Sequence, residues 1–422
     1  MKVAALFAGC GGDSFGFAKA GFEIIFANDI DASACYTFKE KFEKNSKKKI
    51  VRMGDIKNVY DFGSPTVVTG GFPCQGFSMA GPRKLSDERN KLYVFLKRAI
   101  NLTNPEFFVA ENVKGFVTIG EKSGKFFSAD GKIERLGKVA STIIDEMSSL
   151  RDGYDVHYKI LNAKDYGVAQ NRERVFIIGV RKDIGYKFHW PLPSHGPNSP
   201  KKKQYVTLKK AIGDIPLVAD ESYDGYFSSR YISRNRVTSW DDVSFTIPAQ
   251  AGQVPLHPDS CKMGDVADGI FFETEKGEWS TFRRRFKKII RSPIPNTKKK
   301  FRLYTFRVKD RKMFTGRDAD SVTWKKLSKS RMPITSGDRP IRLSWRQCAA
   351  IQGFPKNYPF QEGMSISALY RMIGNAVPPP VMQRIAENIL PYFSGKKTSP
   401  PEKSVKPEPV QEKIDRYLLK EN

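Results

Sequence analysis

Short apolar runs bounded by Gly, Asn, Asp or Lys recur through residues 1–182. Strands are predicted at Val3–Phe7, Glu23–Ala27, Ile50–Met53, Thr66–Thr69, Glu106–Ala110, Val156–Leu161 and Arg174–Val180. Between them, longer segments carry apolar residues at helical spacing: Ala32–Phe42, Lys91–Leu102 and Ile133–Leu150. Strands alternating with helices predict an α/β domain with a Rossmann-like, doubly wound, mostly parallel sheet. Ligands of such sheets sit beyond the carboxyl ends of the strands. The opening MKVAALFAGCGG runs into a Gly-rich turn, so it reads as the first strand and not as a signal peptide.

The pattern changes after Lys182, where Pro, Ser and Lys accumulate in HWPLPSHGPNSPKKK and periodic helices become rare. Residues 183–338 therefore form a second, smaller, loop- and strand-rich domain. Helical character returns in 339–395, first in SWRQCAAIQGFP and then in SALYRMIGNAVPPPVMQRIAENILPYF, whose last helix is expected to rejoin the first domain. The tail, 396–422, is rich in Pro, Lys and Glu and has little apolar surface to bury, so disorder is expected apart from a short helix around Ile414–Leu419.

Charge narrows the class of partner. The chain of 422 residues carries a formal charge of +27. Residues 281–331 alone hold 19 Lys/Arg against 3 Asp, a net +16, so more than half of the excess lies in one stretch. Such a concentration favours a polyanion, because each neutralised phosphate releases counterions. No apolar run is long enough to span a membrane. The five cysteines are scattered and never spaced CxxC, and the four histidines form no HxxxH pair, so neither a disulfide framework nor a metal site is expected.

Four motifs fall at predicted strand ends. Leu6-Phe7-Ala8-Gly9-Cys10-Gly11-Gly12 closes a strand and opens a helix, where glycines let a nucleotide-like ligand approach the backbone. The second strand ends in Asn28-Asp29, a carboxylate placed to accept from ribose hydroxyls. The third ends in Gly54-Asp55-Ile56, where Asp55 could accept from an adenine amino group and Ile56 could pack on the ring. The first spacing is not the GxGxxG of a dinucleotide site, which speaks against a nicotinamide oxidoreductase. After the fourth strand comes Gly70-Gly71-Phe72-Pro73-Cys74-Gln75-Gly76-Phe77-Ser78, which sets a cysteine in a loop of non-core composition. A thiolate is a strong nucleophile once cationic neighbours lower its pKa. Glu111-Asn112-Val113 and Gln170-Asn171-Arg172-Glu173-Arg174 bring a carboxyl group and two arginines to the same crevice; each alone also reads as an ordinary surface group.

In this order the motifs resemble the cytosine-5 DNA methyltransferase family. The resemblance rests on LFAGCGG, GGFPCQGFS, ENV, QNRERVFIIGV, RPIRLSWRQCAAIQGFP and YRMIGNAVPPPV, and covers roughly residues 1–182 and 339–390. It implies a bacterial restriction–modification type of enzyme that uses S-adenosylmethionine and no metal. Phe7, Gly9, Cys10 and Gly12 would line the cofactor site, Asp29 would hold the ribose, and Ile30, Asp55 and Ile56 would meet adenine. Pro73, Leu92, Asn375 and Ala376 would complete the walls. Cys74 would add to carbon 6 of a cytosine flipped out of the duplex, Glu111 would protonate N3, and Arg172 and Arg174 would hold the base and favour the thiolate.

Three departures from the family pattern stand out: Asp29 for the usual Glu, Ile30 for an aromatic residue, and Gln347 for an acidic one. They predict weaker cofactor binding and the loss of one structural ion pair. Residues 183–338 would recognise the target, and 76–89 would close as a lid over the flipped base. The implied partners are double-stranded DNA and a cognate endonuclease. The implied state is a cytoplasmic monomer, nucleoid-associated if prokaryotic. Rival readings are a tRNA cytosine-5 methyltransferase and a catalytically silent DNA-binding relative. The large basic second domain speaks against the first, and the complete set of Cys74, Glu111, Arg172 and Arg174 against the second.

Overall fold

The computed structural model describes residues 1–44, 48–73, 92–118, 126–127, 133–134, 137–218, 221–223, 237–260, 269–273, 279–281, 301–307, 312–319, 341–361 and 363–395. Contacts divide the chain into two units. The first comprises Met1–Tyr205, Gly353–Glu362 and Ala376–Asn422; the second comprises Val206–Gln352 and Gly363–Asn375.

The first unit contains β1 (Lys2–Leu6), α1 (Gly12–Lys19), β2 (Glu23–Asp29), α2 (Ala32–Phe42), β3 (Val51–Met53), β4 (Val67–Gly70), α3 (Tyr93–Thr103), β5 (Phe107–Val113), β6 (Phe126–Phe127), β7 (Ile133–Glu134), α4 (Lys138–Ser148), β8 (Tyr154–Asn162), β9 (Gln170–Asn171) and β10 (Glu173–Arg181). Seven strands form the central sheet in the order β3-β2-β1-β4-β5-β10-β8. The first five run parallel, while β10 is antiparallel to both β5 and β8. Winding reverses between β1 and β4, so the ligand crevice expected of such sheets opens beyond the carboxyl ends of those two strands.

The sheet is buried on both faces, which is why its strands read as continuous apolar runs. Val3 and Ala5 of β1 enter one core with Phe17, Phe38 and Met382. Ala4 and Leu6 enter the other with Leu96, Ile100, Ile143 and Met147. The predicted helix at 133–150 is corrected at its start: Ile133–Glu134 pairs with Phe126–Phe127, and α4 begins at Lys138 behind an extended Gly137. A helix cannot propagate through a residue held at ψ 150°.

Glycines fix two close approaches. Gly179 of β10 lies opposite Phe108 of β5, and a Cβ there would stand 1.9 Å from the Phe108 ring. Because that ring is wholly buried, Gly179→Ala is expected to cost about 1–3 kcal/mol of stability. A thermal melt should show a fall of several degrees; an unchanged midpoint would contradict this packing. Gly16 in α1 lies under a late helix of the first unit, Pro379–Glu387: a Cβ would meet Met382 Cβ and the Pro379 carbonyl oxygen, each at 2.7 Å.

The second unit carries α5 (Leu208–Ile212), β11 (Ser244–Phe245), β12 (Gly269–Glu273), β13 (Trp279–Thr281), β14 (Phe301–Arg307), β15 (Lys312–Ala319), α6 (Trp345–Ile351) and α7 (Ile366–Asn375). The chain then closes in the first unit with α8 (Pro379–Glu387) and α9 (Leu390–Phe393). Strands β12–β15 form an antiparallel sheet in the order β13-β12-β14-β15. A capping box starts α6: Ser344 Oγ accepts from Gln347 N (3.2 Å), and Gln347 Oε1 accepts from Ser344 N (3.0 Å). The Gln347 amide also donates to the Ile215 carbonyl at 3.3 Å. A carboxylate could not make that last bond, so in place of an ion pair the glutamine here ties two segments of its unit.

Candidate active site

The turn after β1 is built from unusual backbone. Phe7 has φ 53°, a left-handed value that is strained for a bulky residue, and Gly9 and Gly11 follow at φ 54° and 91°. The open side of the turn is at Gly9, where a Cβ would meet nothing within 4 Å. Gly11 and Gly12 are instead packed: a Cβ on Gly11 would touch Phe42, Phe38 and Tyr358, and one on Gly12 would stand 2.3 Å from the Val377 carbonyl oxygen. Cys10 is buried, and burial pushes its thiol well up.

Asp29, half-buried at the end of β2, organises the neighbouring strand end. Its Oδ2 accepts from Gly9 N at 2.8 Å and its Oδ1 from Asp31 N at 2.9 Å. A carboxylate has about four acceptor sites, which the N–H groups of Gly9, Asp31 and Ile30 do not exhaust. Burial pushes this carboxyl upward, opposed by those backbone N–H groups. Ile30 beside it is 73% exposed, an apolar side chain left for something flat to cover. Asp55 caps the short helix Ile56–Asn58 by accepting from Lys57 N at 2.9 Å, and Ile56 is buried in the core. A donor of adenosine type fits this ground: open space before Gly9, a carboxylate beside it and exposed apolar surface at Ile30.

Leu92 is half-buried ahead of α3, and Pro73 is the last described residue before Cys74. Ala376 is buried, and its carbonyl accepts from Arg172 Nη2 at 3.2 Å. Asn375 belongs to the second unit, where it closes α7.

Glu111, Arg172 and Arg174 do come together. Glu111 Oε1 lies 3.1 Å from Arg174 Nε, both side chains being largely buried. Arg174 sits at the start of β10 and Glu111 near the end of β5, and the antiparallel pairing of those strands makes the two neighbours. Burial pushes the Glu111 carboxyl up, and Arg174 and then Arg172 oppose it. Burial lowers both guanidinium pKa values, that of Arg172 the more strongly. The loop after β4 is fastened to the same place. Asn112 Nδ2 donates to the Phe72 carbonyl at 3.1 Å, and a Cβ on Gly71 would stand 3.3 Å from Glu111 Oε2. Gly71 thus lets the carboxylate reach the loop that runs on into Cys74.

Cys74 and the segment 76–89 lie outside the described residues, as do most of the basic stretch 281–331 and the tail 396–422. Among the described cysteines, Cys10, Cys35 and Cys348 are buried with raised pKa values, about 11 for Cys35, so none is poised as a thiolate. Among the described residues no cluster of three or more His, Cys, Asp or Glu could hold a metal, and no helix is long and apolar enough to cross a membrane.

Sequence reasoning passed over Asp13, in the first turn of α1. It is buried, accepts from Ser14 N at 2.6 Å and lies 3.5 Å from Thr69 Oγ1. Burial pushes its carboxyl up to about 6, with Glu111 adding a smaller push. The only trace in the sequence is an acidic residue directly after the paired glycines.

A family model of C-5 cytosine-specific DNA methylases matches residues 1–391. The chain is 31% identical to the Type II methyltransferase M.BsuRI of Bacillus subtilis, over 96% of this chain and 83% of that one. It is 34% identical to the Type II methyltransferase M.MthTI of Methanothermobacter thermautotrophicus, over 94% and 98%. In fold it resembles the S. pombe Dnmt2 methyltransferase, with a TM-score of 0.53, 15% identity, and coverage of 93% of this chain and 99% of that one.

Proposed function

The chain belongs to the C-5 cytosine-specific DNA methylase family, and from that premise we propose that it methylates carbon 5 of a cytosine within a specific double-stranded DNA sequence, through a covalent bond between Cys74 and carbon 6 of a flipped-out base. It is a DNA cytosine-5-methyltransferase, and its family uses S-adenosylmethionine. Relatives named as Type II methyltransferases support a restriction–modification role.

The observation that carries the proposal is the buried Glu111–Arg174 pair at 3.1 Å, fastened to the loop that leads into Cys74. Carbon 5 of cytosine is too electron-poor to take up a methyl group unaided. Cys74 Sγ bonds to carbon 6, and the ring electrons move toward N3. Glu111 would give a proton to N3, a role that burial favours by pushing its carboxyl pKa upward. Carbon 5 becomes enamine-like and nucleophilic. S-adenosylmethionine, when bound, supplies an electrophilic methyl group on a sulfonium. After transfer a base such as water takes the carbon 5 proton, Cys74 Sγ leaves carbon 6 as thiolate, and the N3 proton returns to the Glu111 carboxylate, which restores the aromatic ring.

Arg174 orients Glu111 and, with Arg172, gives the site the positive field that favours a thiolate and an anionic ring. Phe7, Gly9 and Asp29, with Ile30, would hold the adenosine part, Asp29 accepting from the ribose hydroxyls. Residues 183–338 would read the target, their phosphate contacts coming from the basic stretch.

Bisulfite sequencing of a random-sequence duplex library exposed to the protein and S-adenosylmethionine tests the whole reading. Protection of one cytosine in one sequence context is expected, and uniform conversion would sink it. Asp29→Ala should weaken S-adenosylhomocysteine binding about 10- to 100-fold by calorimetry, the value of a lost charge-assisted hydrogen bond. An unchanged Kd would remove Asp29 from the cofactor site.

A further inference from the structure

We propose that Tyr358 is a positioning residue for the methyl donor: its hydroxyl holds the Gly9–Gly11 turn in the left-handed shape that opens the cofactor site. The proposal rests on reading that turn as the S-adenosylmethionine site.

The Tyr358 hydroxyl donates to the Cys10 carbonyl at 2.6 Å in a buried contact that joins residues 348 apart in the chain. Cys10 lies between Gly9 and Gly11, both at positive φ. Within the turn Gly11 N donates to the Ala8 carbonyl at 2.9 Å, and Gly9 N donates to Asp29 Oδ2 at 2.8 Å, so the Cys10 carbonyl is the point at which Tyr358 adds its hold. Gly11 is the residue that lets Tyr358 in, since a Cβ there would stand 3.0 Å from the tyrosine oxygen. The ring cannot wander. It packs edge-on against Phe15 of α1 at 5.4 Å and against Phe354 at 4.6 Å and Phe360 at 5.1 Å, and Lys41 lies 5.7 Å from its centroid. Gln361 Nε2 donates to Tyr36 Oη at 2.6 Å and so fastens the far end of the segment to α2.

The hydroxyl remains a donor at any working pH, because burial and the neighbouring Cys10 and Asp13 hold its proton well above the ordinary range. Residues Gly353–Glu362 belong to the first unit although the chain on both sides belongs to the second. This short passage buries Phe354, Tyr358 and Phe360 and reaches α1 through Phe15, α2 through Tyr36 and the turn through Cys10. The turn's backbone faces the ligand while its carbonyl faces Tyr358, so the tyrosine acts on the cofactor through the backbone and does not touch it.

Tyr358→Phe keeps the ring and removes the bond. Titration calorimetry with S-adenosylhomocysteine should show a three- to tenfold rise in Kd, the worth of a buried neutral hydrogen bond. In steady state, KM for S-adenosylmethionine should rise by the same factor, with kcat at saturation and KM for DNA within twofold of wild type. Phe354→Leu is the packing control: it loosens the same segment but leaves the hydroxyl in place, and should lower the melting temperature without moving that Kd. An unchanged Kd in Tyr358→Phe, or an equal rise in Phe354→Leu, overturns the proposal. If wild type itself fails to bind S-adenosylhomocysteine, the cofactor reading of the turn fails first; a wild type that binds and a variant that binds equally well removes Tyr358 alone.

Discussion

Cys74→Ser is expected to abolish methyl transfer, lowering kcat by at least about a thousandfold. A serine hydroxyl is hardly ionised near neutrality, whereas the cysteine thiol needs only a modest shift, for which the proposed mechanism relies on the two buried guanidinium groups. DNA carrying 5-fluorocytosine at the target should trap wild type, because fluorine at carbon 5 cannot leave as a proton does. The trapped band on a denaturing gel should vanish in Cys74→Ser and persist in Cys261→Ser, the other cysteine outside the described residues. Cys35→Ser should also trap, since that thiol is buried and held protonated. An undiminished band in Cys74→Ser would falsify the assignment.

The second large effect is expected at Glu111. Glu111→Gln keeps the shape and can still offer an N–H to cytosine N3, but it has no proton to give. A fall in kcat of about 100- to 10,000-fold follows from general-acid chemistry, with little change in DNA affinity. The pH dependence gives the sign. Burial raises this carboxyl, so the protonated form persists above the ordinary carboxylate range and is lost as pH rises through the raised value. Activity of wild type should therefore decline on the alkaline side through ionisation of Glu111, and the residual activity of Glu111→Gln should lack that limb. An alkaline limb of the same midpoint in both proteins would assign it to another group. Arg174→Lys tests the pairing: a point charge in place of the planar fork should move the midpoint upward by weakening the hold on the ionised carboxylate.

The strands of the first unit were readable because both faces of the sheet are covered. A strand buried on two sides must be a short apolar run, and Val67, Val68, Phe107, Phe108 and Val109 are all wholly buried. Strand direction was not readable. Nothing in RVFIIGV says that it runs against ENV, yet that reversal brings Arg174 to Glu111. The start of α4 was misplaced because Ile133 continues the helical period locally, while its pairing with Phe127 is set by the chain's return. At the site, residue types at strand ends were visible; their second attachments were not. Arg172 reaches the Ala376 carbonyl across 204 residues of chain, and Tyr358 reaches Cys10 across 348. Such contacts leave no periodic trace. Gly11 and Gly71 come nearest to one, since each is a place where a side chain from elsewhere needs the missing Cβ.

The packing of α1 against α8 has a consequence for biosynthesis. Gly16 waits for Met382, a residue made 366 positions later. At about 5–20 residues per second, roughly 20–70 seconds of synthesis pass before the face of α1 can be covered. Until then the nascent sheet shows an apolar face to chaperones and to other chains, and the turn before α1 lacks the support it takes from Val377 and Tyr358. The turn and the helix behind it thus reach their final packing only after the last helices of the chain have left the ribosome.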